Sequence, residues 1–315
     1  MNLELARDLL LKGEVVAIPT ETVYGLGGWI NSREGLLKIF STKERPFFDP
    51  LIVHVSGIEN AKKLTSEWTV VHETLARECW PGPLTLIAKK NNEVDPLITS
   101  GLDSVGLRCP KHNLTLELLA TLEGGIAAPS ANKFGKTSPT SATHVAVEFD
   151  DEVAILDGGS CEIGIESTVV GVRKEAKCFI VEIFRPGFFT AKAIELILTN
   201  HNIAAKVLYT ESPVAPGQLE HHYMPNIPLV LVPAEFCWDA EKEKIEGHLG
   251  KKFSNPATWV MPESAVLASR ELYEKLRQFD QLGFDIILTT KLSCHHSEEW
   301  MGIWNRLEKA KALAI

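Results

Sequence analysis

The chain has 315 residues, of which 45% are hydrophobic and 23% are charged, and its formal net charge is −9 at pH 7. This composition excludes a disordered chain, and the length suits one large domain or two smaller ones. The acidic balance argues against a protein that binds nucleic acid over its whole surface, because such binding needs clustered lysine and arginine. A local basic cleft is compatible with it.

The apolar runs are short, and the longest of them, such as residues 14–19 and 227–233, cannot cross a membrane. The first seven residues lack the basic and apolar regions of a signal peptide. Six cysteines are scattered without a C-x-x-C pair, which fits neither a zinc site nor a secreted disulfide framework. We therefore expect a cytoplasmic protein with no membrane partner.

The first two thirds of the chain alternate helical patterns with short β-branched runs. Helices are predicted at residues 4–12, 32–41, 58–65 and 70–79, and strands at 15–19, 51–55, 84–89, 104–108, 152–157, 167–172 and 178–185. Gly13 is a natural stop for the first helix, and residues 25–28 are interpreted as a glycine-rich turn. The mixture predicts an α/β fold with a twisted mixed sheet and flanking helices.

The composition changes at residues 211–228, where prolines bracket Gln218 to Tyr223 and predict an extended connector. Strands are then predicted at 229–232, 258–261 and 285–289, alternating with helices at 240–249, 271–280 and 298–313. This alternation is typical of a small three-layer, Rossmann-like α/β domain with parallel strands. The predicted limits are 1–210 for the first domain, 211–228 for the Pro-rich linker and 229–315 for the C-terminal domain.

The sequence has no G-x-x-x-x-G-K-[ST] loop, and no G-x-G-x-x-G loop opens a helix after a strand, so any nucleotide site is of another kind. Lys43 and Arg45 are two cations spaced by one residue before the stiff Pro46, and this pair suits a polyphosphate. A lone K-x-R is also common as a solvated surface pair. The small residues 129–132 can present hydroxyl, amide and backbone N–H groups to an anion.

Other segments carry polar groups next to predicted strands. The loop at residues 19–27 has three hydroxyls and several glycines, which suit either a ligand-binding loop or a polar turn. Residues 164–170 place two hydroxyls at the start of a strand, and Arg185 puts a guanidinium at the end of another. Each signal is weak alone, but all of them fall in order along one predicted domain.

In that order, the segments resemble the YrdC family in its long, two-domain form. The matching segments are PTETVYGLG at 19–27, KERPxxDPL at 43–51, HV at 54–55, WPGPLT at 80–85, VGLRCP at 105–110, APSAN at 128–132, ESTVV at 166–170 and RPG at 185–187. The resemblance spans roughly residues 5–190, and Trp304–Leu307 adds a less specific match in the last part of the chain. The resemblance implies a YrdC-like fold for the first domain.

The resemblance also implies a nucleotidyltransferase activity, that of a threonylcarbamoyl-AMP synthase. Such an enzyme converts L-threonine, bicarbonate and ATP into threonylcarbamoyl-adenylate and pyrophosphate, with Mg²⁺ assisting. The product feeds a separate transferase that modifies the adenosine next to the anticodon of certain tRNAs. The implied partners are therefore the three substrates and that transferase, with tRNA as a further candidate.

Residue roles follow from the same resemblance. The residues implied for ATP are Lys43, Arg45, Asp49, Ser104, Ser130, Asn132, Ser138, Arg185 and Tyr223, and those implied for threonine are Thr22, His54, Arg108, Ala128 and Ser167. Lys43 and Arg45 would also stabilise the charge that builds on the leaving pyrophosphate, which is the catalytic role. No protein ligand for a metal and no general base are assigned.

Three departures from the family pattern are visible. Asp49 stands where the family usually has Asn, and a carboxylate near a triphosphate is repelled unless it meets Mg²⁺ or points away. Glu44 replaces the usual small residue. The linker keeps the distal His222-Tyr223 pair but lacks the usual Lys and first Tyr, so only Tyr223 is expected to take part in a lid.

Two alternative functions are open, one of another function class and one closer in chemistry to the implied synthase. The first is a nucleotide- or RNA-binding module of the same fold that makes no product, but the acidic balance argues against it, as do Thr22, His54 and Arg108. The second passes a carbamoyl group from carbamoyl phosphate, but that activity is typical of much longer chains with zinc-finger and acylphosphatase modules. The adjacent histidines at 221–222 and 295–296 lack a third ligand at metal-binding spacing.

Overall fold

The computed structural model describes residues 1–150, 152–210 and 222–315. The helices are α1 (Leu3–Leu11), α2 (Arg33–Lys43), α3 (Ile58–Lys63), α4 (Val70–Cys79), α5 (Pro96–Thr99), α6 (Asn113–Ala120), α7 (Ala142–Phe149), α8 (Ala191–Asn200), α9 (Trp238–Leu249), α10 (Ala265–Gln281) and α11 (Met301–Ala310). The strands are β1 (Val16–Ile18), β2 (Gly25–Trp29), β3 (Ile52–His54), β4 (Leu84–Lys89), β5 (Ser104–Arg108), β6 (Ile126–Ala127), β7 (Ala154–Ile155), β8 (Thr168–Lys174), β9 (Phe179–Arg185), β10 (Ala205–Tyr209), β11 (Leu229–Val232), β12 (Pro256–Trp259), β13 (Ile286–Thr290) and β14 (Leu313–Ala314). Two short 3₁₀ helices span Ser293–His296 and Glu298–Trp300.

The described residues form two compact units. The first contains residues 1–134 and 138–210, and the second contains 135–137 and 222–315. Most of the predicted linker, residues 211–221, lies outside the described residues. The domain limits drawn from the sequence therefore remain a prediction.

The first unit is built on one large mixed sheet with the strand order β10-β9-β8-β4-β5-β3-β6-β2-β1-β7. Four neighbouring pairs are parallel, namely β1/β7, β3/β5, β4/β8 and β9/β10, and the other five are antiparallel. Helices α4 and α8 cover an apolar cluster that includes Leu84, Leu86 and Val170. The predicted fold, a twisted mixed sheet with flanking helices, is confirmed.

The central strand β5 divides its side chains between the main hydrophobic cluster and the opposite face of the sheet. Val105 and Leu107 are buried in the main hydrophobic cluster of this unit. Side chains alternate between the two faces of a strand, so Ser104, Gly106 and Arg108 lie on the opposite face. The same strand therefore supplies both core residues and residues predicted to bind substrates.

The glycine-rich segment after the first loop is a strand, so the interpretation of residues 25–28 as a turn was wrong. Strand β2 pairs antiparallel with β1, with Ala17 opposite Leu26. A Cβ on Gly27 would lie 2.8 Å from Cγ2 of Ile126, and one on Gly28 would lie 2.9 Å from the carbonyl oxygen of Gly35. Glycine is used here because a neighbouring strand and helix α2 approach the backbone too closely for any side chain.

The second unit contains a parallel four-stranded sheet with the order β12-β13-β11-β14. Its core includes Val230, Ile245, Phe253, Ile286 and Leu288. The prediction of one helix over 298–313 was wrong at both ends: α11 begins at Met301 and ends at Ala310, and β14 then pairs with β11. Among the described residues, no helix is long and apolar enough to cross a membrane.

Candidate active site

Lys43 joins the end of helix α2 to the small-residue segment at 129–132. It is the last residue of α2, rather than lying beyond the helix as predicted from the sequence. Its buried ammonium donates to the carbonyl oxygen of Ser130 at 2.6 Å and to that of Asn132. Burial, followed by the nearby Arg45 charge, lowers the pKa of Lys43 well below its ordinary value. Lys43 therefore holds this segment against the helix end.

Arg45 and Asp49 are tied to each other and to the backbone of the next turn. Arg45 Nε donates to the carbonyl oxygen of Asp49 at 3.1 Å, and Nη2 donates to that of Pro50 at 2.8 Å. Nη2 also lies 2.9 Å from Asp49 Oδ2. Burial raises the pKa of Asp49, while the cations of Arg45, Lys43 and Arg185 act in the opposite direction. Asp49 thus sits in positive surroundings that offset its negative charge.

Glu44, the other acidic departure, has its side chain at the surface. Its backbone is left-handed, with φ of 54°, and it caps the C-terminus of α2. Its carboxylate accepts a hydrogen bond from Lys133 Nζ at 2.8 Å, and this bond lowers the pKa of Glu44. The side chain is 74% exposed. A left-handed residue at this place explains why glycine or another small residue suits the position.

The segment at 129–132 runs beside the start of β2. The backbone N–H of Leu26 donates to the carbonyl oxygen of Pro129, and that of Ala131 donates to the carbonyl oxygen of Tyr24. Ser130 forms an isolated β-bridge with Gly25. Ser130 is half-buried, whereas Asn132 is buried and its amide donates to the carbonyl oxygen of Lys133 at 2.7 Å. The structure thus brings Lys43, Ser130 and Asn132 together, and their role as a phosphate site remains a prediction.

Ser138 is buried and donates to Oε1 of Glu166 at 2.5 Å. Glu166 lies in the family segment at 166–170, but the resemblance implies no role for it. A hydroxyl that already donates to a carboxylate is oriented, and its lone pairs remain available as acceptors. Glu166 therefore fixes the direction of the Ser138 hydroxyl.

A second polar cluster surrounds Arg108 at the end of β5. Arg108 Nη2 lies 2.8 Å from Thr22 Oγ1 and 2.8 Å from Glu21 Oε2, and Nε donates to the carbonyl oxygen of Gly82 at 3.3 Å. Arg108, Thr22 and Glu21 are all buried. Glu21 was absent from the predicted site residues, although its place beside Thr22 in the segment 19–27 was a signal that could have found it.

His54 lies opposite Arg108 in the parallel register of β3 and β5. Burial, followed by the positive charge of Arg108, lowers the pKa of His54 to about 3. The imidazole is therefore neutral at any working pH. Its Nδ1 is buried, with no hydrogen-bond partner among the described residues. A neutral ring nitrogen of this kind can donate to or accept from a substrate hydroxyl.

Ser167 lies between Thr85 and Arg185. Its Oγ is 2.7 Å from Thr85 Oγ1, and Arg185 Nη2 donates to the same Oγ at 3.1 Å. Arg185 Nε also donates to the carbonyl oxygen of Ser167 at 3.1 Å. Ser167, which is predicted to bind threonine, is thus hydrogen-bonded to Arg185, which is predicted to bind ATP, where β8 begins and β9 ends.

Ser104 and Ala128 stand apart from these hydrogen-bonded clusters. Ser104 begins β5 opposite Lys89, four residues from Arg108, which at the rise of a strand corresponds to about 13 Å. Ala128 is buried, and its backbone N–H donates to the carbonyl oxygen of Ile52. The structure therefore does not bring Ser104 next to Arg108, although both lie on one face of the strand.

Tyr223 belongs to the second unit. Its ring centroid lies 5.9 Å from that of Tyr273, and the guanidinium of the buried Arg306 lies 5.6 Å from its ring. Its backbone is left-handed, with φ of 64°. The predicted part of Tyr223 in the ATP site remains a prediction.

Comparison with known proteins agrees with this architecture. The Sua5–YciO–YrdC family model, described as telomere recombination, matches residues 8–187, and a model described as the C-terminal domain of threonylcarbamoyl-AMP synthase matches residues 189–312. A threonylcarbamoyl-AMP synthase of Pyrococcus abyssi is 35% identical, covering 100% of this chain and 95% of the relative. One of Bacillus subtilis is 36% identical, covering 97% and 91%.

A solved structure of Pyrococcus abyssi Sua5 complexed with L-threonine has a TM-score of 0.82 and 33% identity, covering 99% of this chain and 96% of that one. The fold and the two side-chain clusters define a two-domain α/β protein of the YrdC-like class. The family model covers more than half of the chain, and the similarity to these relatives spans nearly its full length. The chain belongs to the Sua5–YciO–YrdC family.

Proposed function

We propose that this protein is a threonylcarbamoyl-AMP synthase, which makes threonylcarbamoyl-adenylate and pyrophosphate from L-threonine, bicarbonate and ATP. The observation that carries the proposal is the pairing of two kinds of cluster in one unit: cations and small polar residues around Lys43, and a buried guanidinium beside Thr22 and His54. A polyphosphate suits the first, and an amino acid with a hydroxyl suits the second. The full-length similarity to enzymes of that name supports it.

In this proposal the phosphate side works by positioning and charge. Lys43 and Arg45 lie next to the triphosphate together with Ser130, Asn132 and Arg185, and the charges of Lys43 and Arg45 stabilise the negative charge that builds on the leaving pyrophosphate. Ser138, whose proton is donated to Glu166, accepts a hydrogen bond from the nucleoside. Asp49 acts through Arg45, whose guanidinium it orients. Ser104 contacts the nucleotide farther along the β5 face.

The threonine side works by recognition. Arg108 binds the carboxylate, because a guanidinium and a carboxylate form strong charge-assisted hydrogen bonds. The neutral imidazole of His54 and the hydroxyl of Thr22 form hydrogen bonds with the threonine hydroxyl. Ser167 and the backbone of Ala128 complete the pocket. The neutral amine attacks carbon dioxide formed by dehydration of bicarbonate and loses a proton. An oxygen of the resulting carbamate then attacks the α-phosphate, and the bond from the α-phosphate to the leaving pyrophosphate breaks.

Magnesium fits this site as a companion of the nucleotide. Among the described residues there is no group of three His, Cys, Asp or Glu side chains that could hold a metal ion. Mg²⁺ usually keeps several waters and is bound through substrate phosphates with one or two carboxylates. We therefore treat Mg–ATP as the substrate form. The cytoplasmic location, the transfer of the product to a tRNA-modifying transferase and a contact with tRNA are further parts of this proposal.

Pyrophosphate release tests the proposal directly. Purified protein with Mg–ATP is expected to release pyrophosphate only when both L-threonine and bicarbonate are present, and the adenylate should be detectable by mass spectrometry. A folded protein that binds ATP but releases no pyrophosphate would instead favour the binding-module alternative. Release that requires carbamoyl phosphate rather than threonine would favour the carbamoyl-transfer alternative.

A further inference from the structure

Glu21 is a buried carboxylate in contact with the guanidinium proposed to bind threonine. It lies in the loop between β1 and β2 and is 2% exposed. Its Oε2 lies 2.8 Å from Arg108 Nη2 and accepts a hydrogen bond from the backbone N–H of Lys111 at 3.0 Å. Both contacts fall on Oε2 and hold the carboxylate against Arg108, while Oε1 is buried with no hydrogen-bond partner among the described residues.

This contact balances the charge of Arg108 within the cluster of Glu21, Thr22, His54 and Arg108. Arg108 carries one positive charge and Glu21 one negative charge, while His54 is neutral because burial keeps its pKa near 3. Two other groups in contact with Arg108, the Thr22 hydroxyl and the Gly82 carbonyl, have no charge. The four side chains Glu21, Thr22, His54 and Arg108 together carry a net charge of zero.

A net-zero buried pocket discriminates between ligands by their total charge. A monoanionic hydroxy acid loses its hydration on entering and leaves one uncompensated charge in a buried place, which is expensive. A zwitterion brings both signs, so its carboxylate can meet Arg108 while the total charge stays zero. Without the Glu21 charge, the same guanidinium would attract a simple carboxylate much more strongly.

We propose that Glu21 is a specificity-determining residue that makes the Arg108 pocket select a zwitterionic amino acid over a carboxylic acid of the same shape. It acts through Arg108: Oε2 orients the guanidinium and supplies its counter-charge. This inference rests on the proposed binding of threonine at Arg108. It adds the reason why the pocket would accept an amino acid rather than its deaminated analogue.

The test compares two ligands on three proteins. L-Threonine and (R)-3-hydroxybutyrate share the carboxylate and the hydroxyl, but the latter lacks the amine, and both dissociation constants are measured by titration calorimetry. Glu21→Gln keeps the shape and an acceptor oxygen for Arg108 and Lys111 while removing the charge. Glu175→Gln is the matched control, because Glu175 also pairs with an arginine, Arg173, but at the exposed turn between β8 and β9.

The wild-type protein and Glu175→Gln are expected to bind L-threonine at least about tenfold more tightly than 3-hydroxybutyrate, a difference of about 1.4 kcal/mol. In Glu21→Gln this ratio is expected to fall by about tenfold or more, mainly through tighter binding of 3-hydroxybutyrate. Glu21→Asp, which restores the charge, should recover most of the discrimination. A merely structural role of Glu21 would weaken both ligands alike and leave the ratio unchanged.

The outcomes separate this inference from the function on which it rests. If the wild-type protein binds no L-threonine, the proposed function itself is overturned. If it binds L-threonine but the ratio in Glu21→Gln equals the wild-type ratio, only the inference about Glu21 is overturned. If Glu21→Gln does not fold, the two dissociation constants of the wild-type protein are compared. Values for L-threonine and 3-hydroxybutyrate within twofold of each other overturn the inference, and a tenfold preference for L-threonine supports it.

Discussion

Arg45 and Asp49 form an ion pair over four residues, with guanidinium Nη2 and carboxylate Oδ2 2.9 Å apart and side-chain exposures of 5% and 6%. The pair places a negative charge in the very loop whose cations are proposed to meet a triphosphate. The structure shows how the chain tolerates this charge, because Arg45, Lys43 and Arg185 all act on Asp49. The same arrangement predicts that the charge weakens ATP binding.

Asp49→Asn is expected to lower the KM for ATP several-fold. The amide keeps the shape of the carboxylate, while one negative charge near the triphosphate disappears, and two unit charges about 4 Å apart interact by about 4 kcal/mol near a protein surface. Loss of the buried charge partner should destabilise the fold by about 1–3 kcal/mol. Steady-state kinetics with varied ATP and thermal unfolding measure the two effects.

Asp95→Asn is the control for this variant, because Asp95 pairs with Arg33 at the surface and asparagine caps a helix as well as aspartate does. It should leave the KM for ATP unchanged. An unchanged or raised KM in Asp49→Asn would show that the carboxylate does not repel the nucleotide.

Lys43→Ala is expected to abolish adenylate formation and also to destabilise the protein. The buried ammonium holds two carbonyl oxygens of the segment at 129–132, and leaving buried polar groups unpaired costs about 1–3 kcal/mol each. Arg45→Ala should lose activity in the same way. Pyrophosphate release and urea unfolding are the measurements.

Lys133→Ala is the matched control for Lys43→Ala, because Lys133 is a partly exposed cation paired with Glu44. It should keep activity and change the free energy of unfolding by less than about 1 kcal/mol. Full turnover in Lys43→Ala would remove Lys43 from the proposed phosphate site.

Glu44→Gly is expected to stabilise the fold by about 0.5–1 kcal/mol. A left-handed backbone costs a residue with a Cβ about 1–2 kcal/mol, which outweighs both the exposed ion pair with Lys133 and the extra chain entropy of glycine. Glu195→Gly, in the interior of the exposed face of α8, should have the opposite sign. Equal destabilisation by both variants would contradict the strain argument.

The sequence predicted the mixed sheet of the first unit and the order of its family segments, but it misjudged β2. Glycine has low strand propensity, so the glycines at 25–28 predicted a turn. In the structure, Ile126 and Gly35 lie so close to the backbone of β2 that only glycine fits there. That demand comes from neighbours distant in the chain, which a local pattern does not contain. The short β14 was missed for the same reason, since two residues gain strand structure only through pairing with β11.

The site residues also divide into those that the sequence predicted and those whose contacts only the fold shows. Motif order placed Lys43, Ser130 and Asn132 together and gave Arg108 the neighbour Thr22. It did not show that Glu21 pairs with Arg108, or that Glu166 orients Ser138, because the resemblance gives neither carboxylate a role and only the fold shows these contacts. Residue type and spacing therefore found the residues proposed to meet substrate, whereas their positioning partners required the fold.

Acid should destabilise the protein partly through His54. Its pKa is lowered from 6.5 to about 3 in the folded state, so between these values the unfolded state binds more protons than the folded state. Stability is therefore retained above pH 6.5 and lost as pH falls toward 3, by about 1.4 kcal/mol per pH unit. Urea unfolding at pH 7 and pH 5 should show a smaller difference for His54→Gln than for the wild-type protein.

His201→Gln is the control for acid unfolding, because His201 is partly exposed and pairs with Glu78 at the surface. Its loss of stability between pH 7 and pH 5 should resemble that of the wild-type protein. Parallel pH profiles for His54→Gln and the wild-type protein would contradict a neutral, buried imidazole.

Strand β5 offers a test of how the two substrates share one sheet face. Ser104, Gly106 and Arg108 all lie on that face. A Cβ on Gly106 would lie 3.3 Å from Ile87 Cδ1 and 3.4 Å from Thr85 Cγ2. We expect Ser104→Ala to raise only the KM for ATP, by about 2- to 12-fold for one hydrogen bond. Arg108→Gln should raise only the KM for threonine, by about 100-fold or more for a lost charge-assisted contact. Gly106→Val adds bulk between the two ends and should raise both values, whereas Val105→Ala, on the core face, should lower stability and leave both unchanged. If Gly106→Val left both KM values unchanged, the substrates would not lie along this face, and Ser104 would lose its place in the proposed nucleotide site.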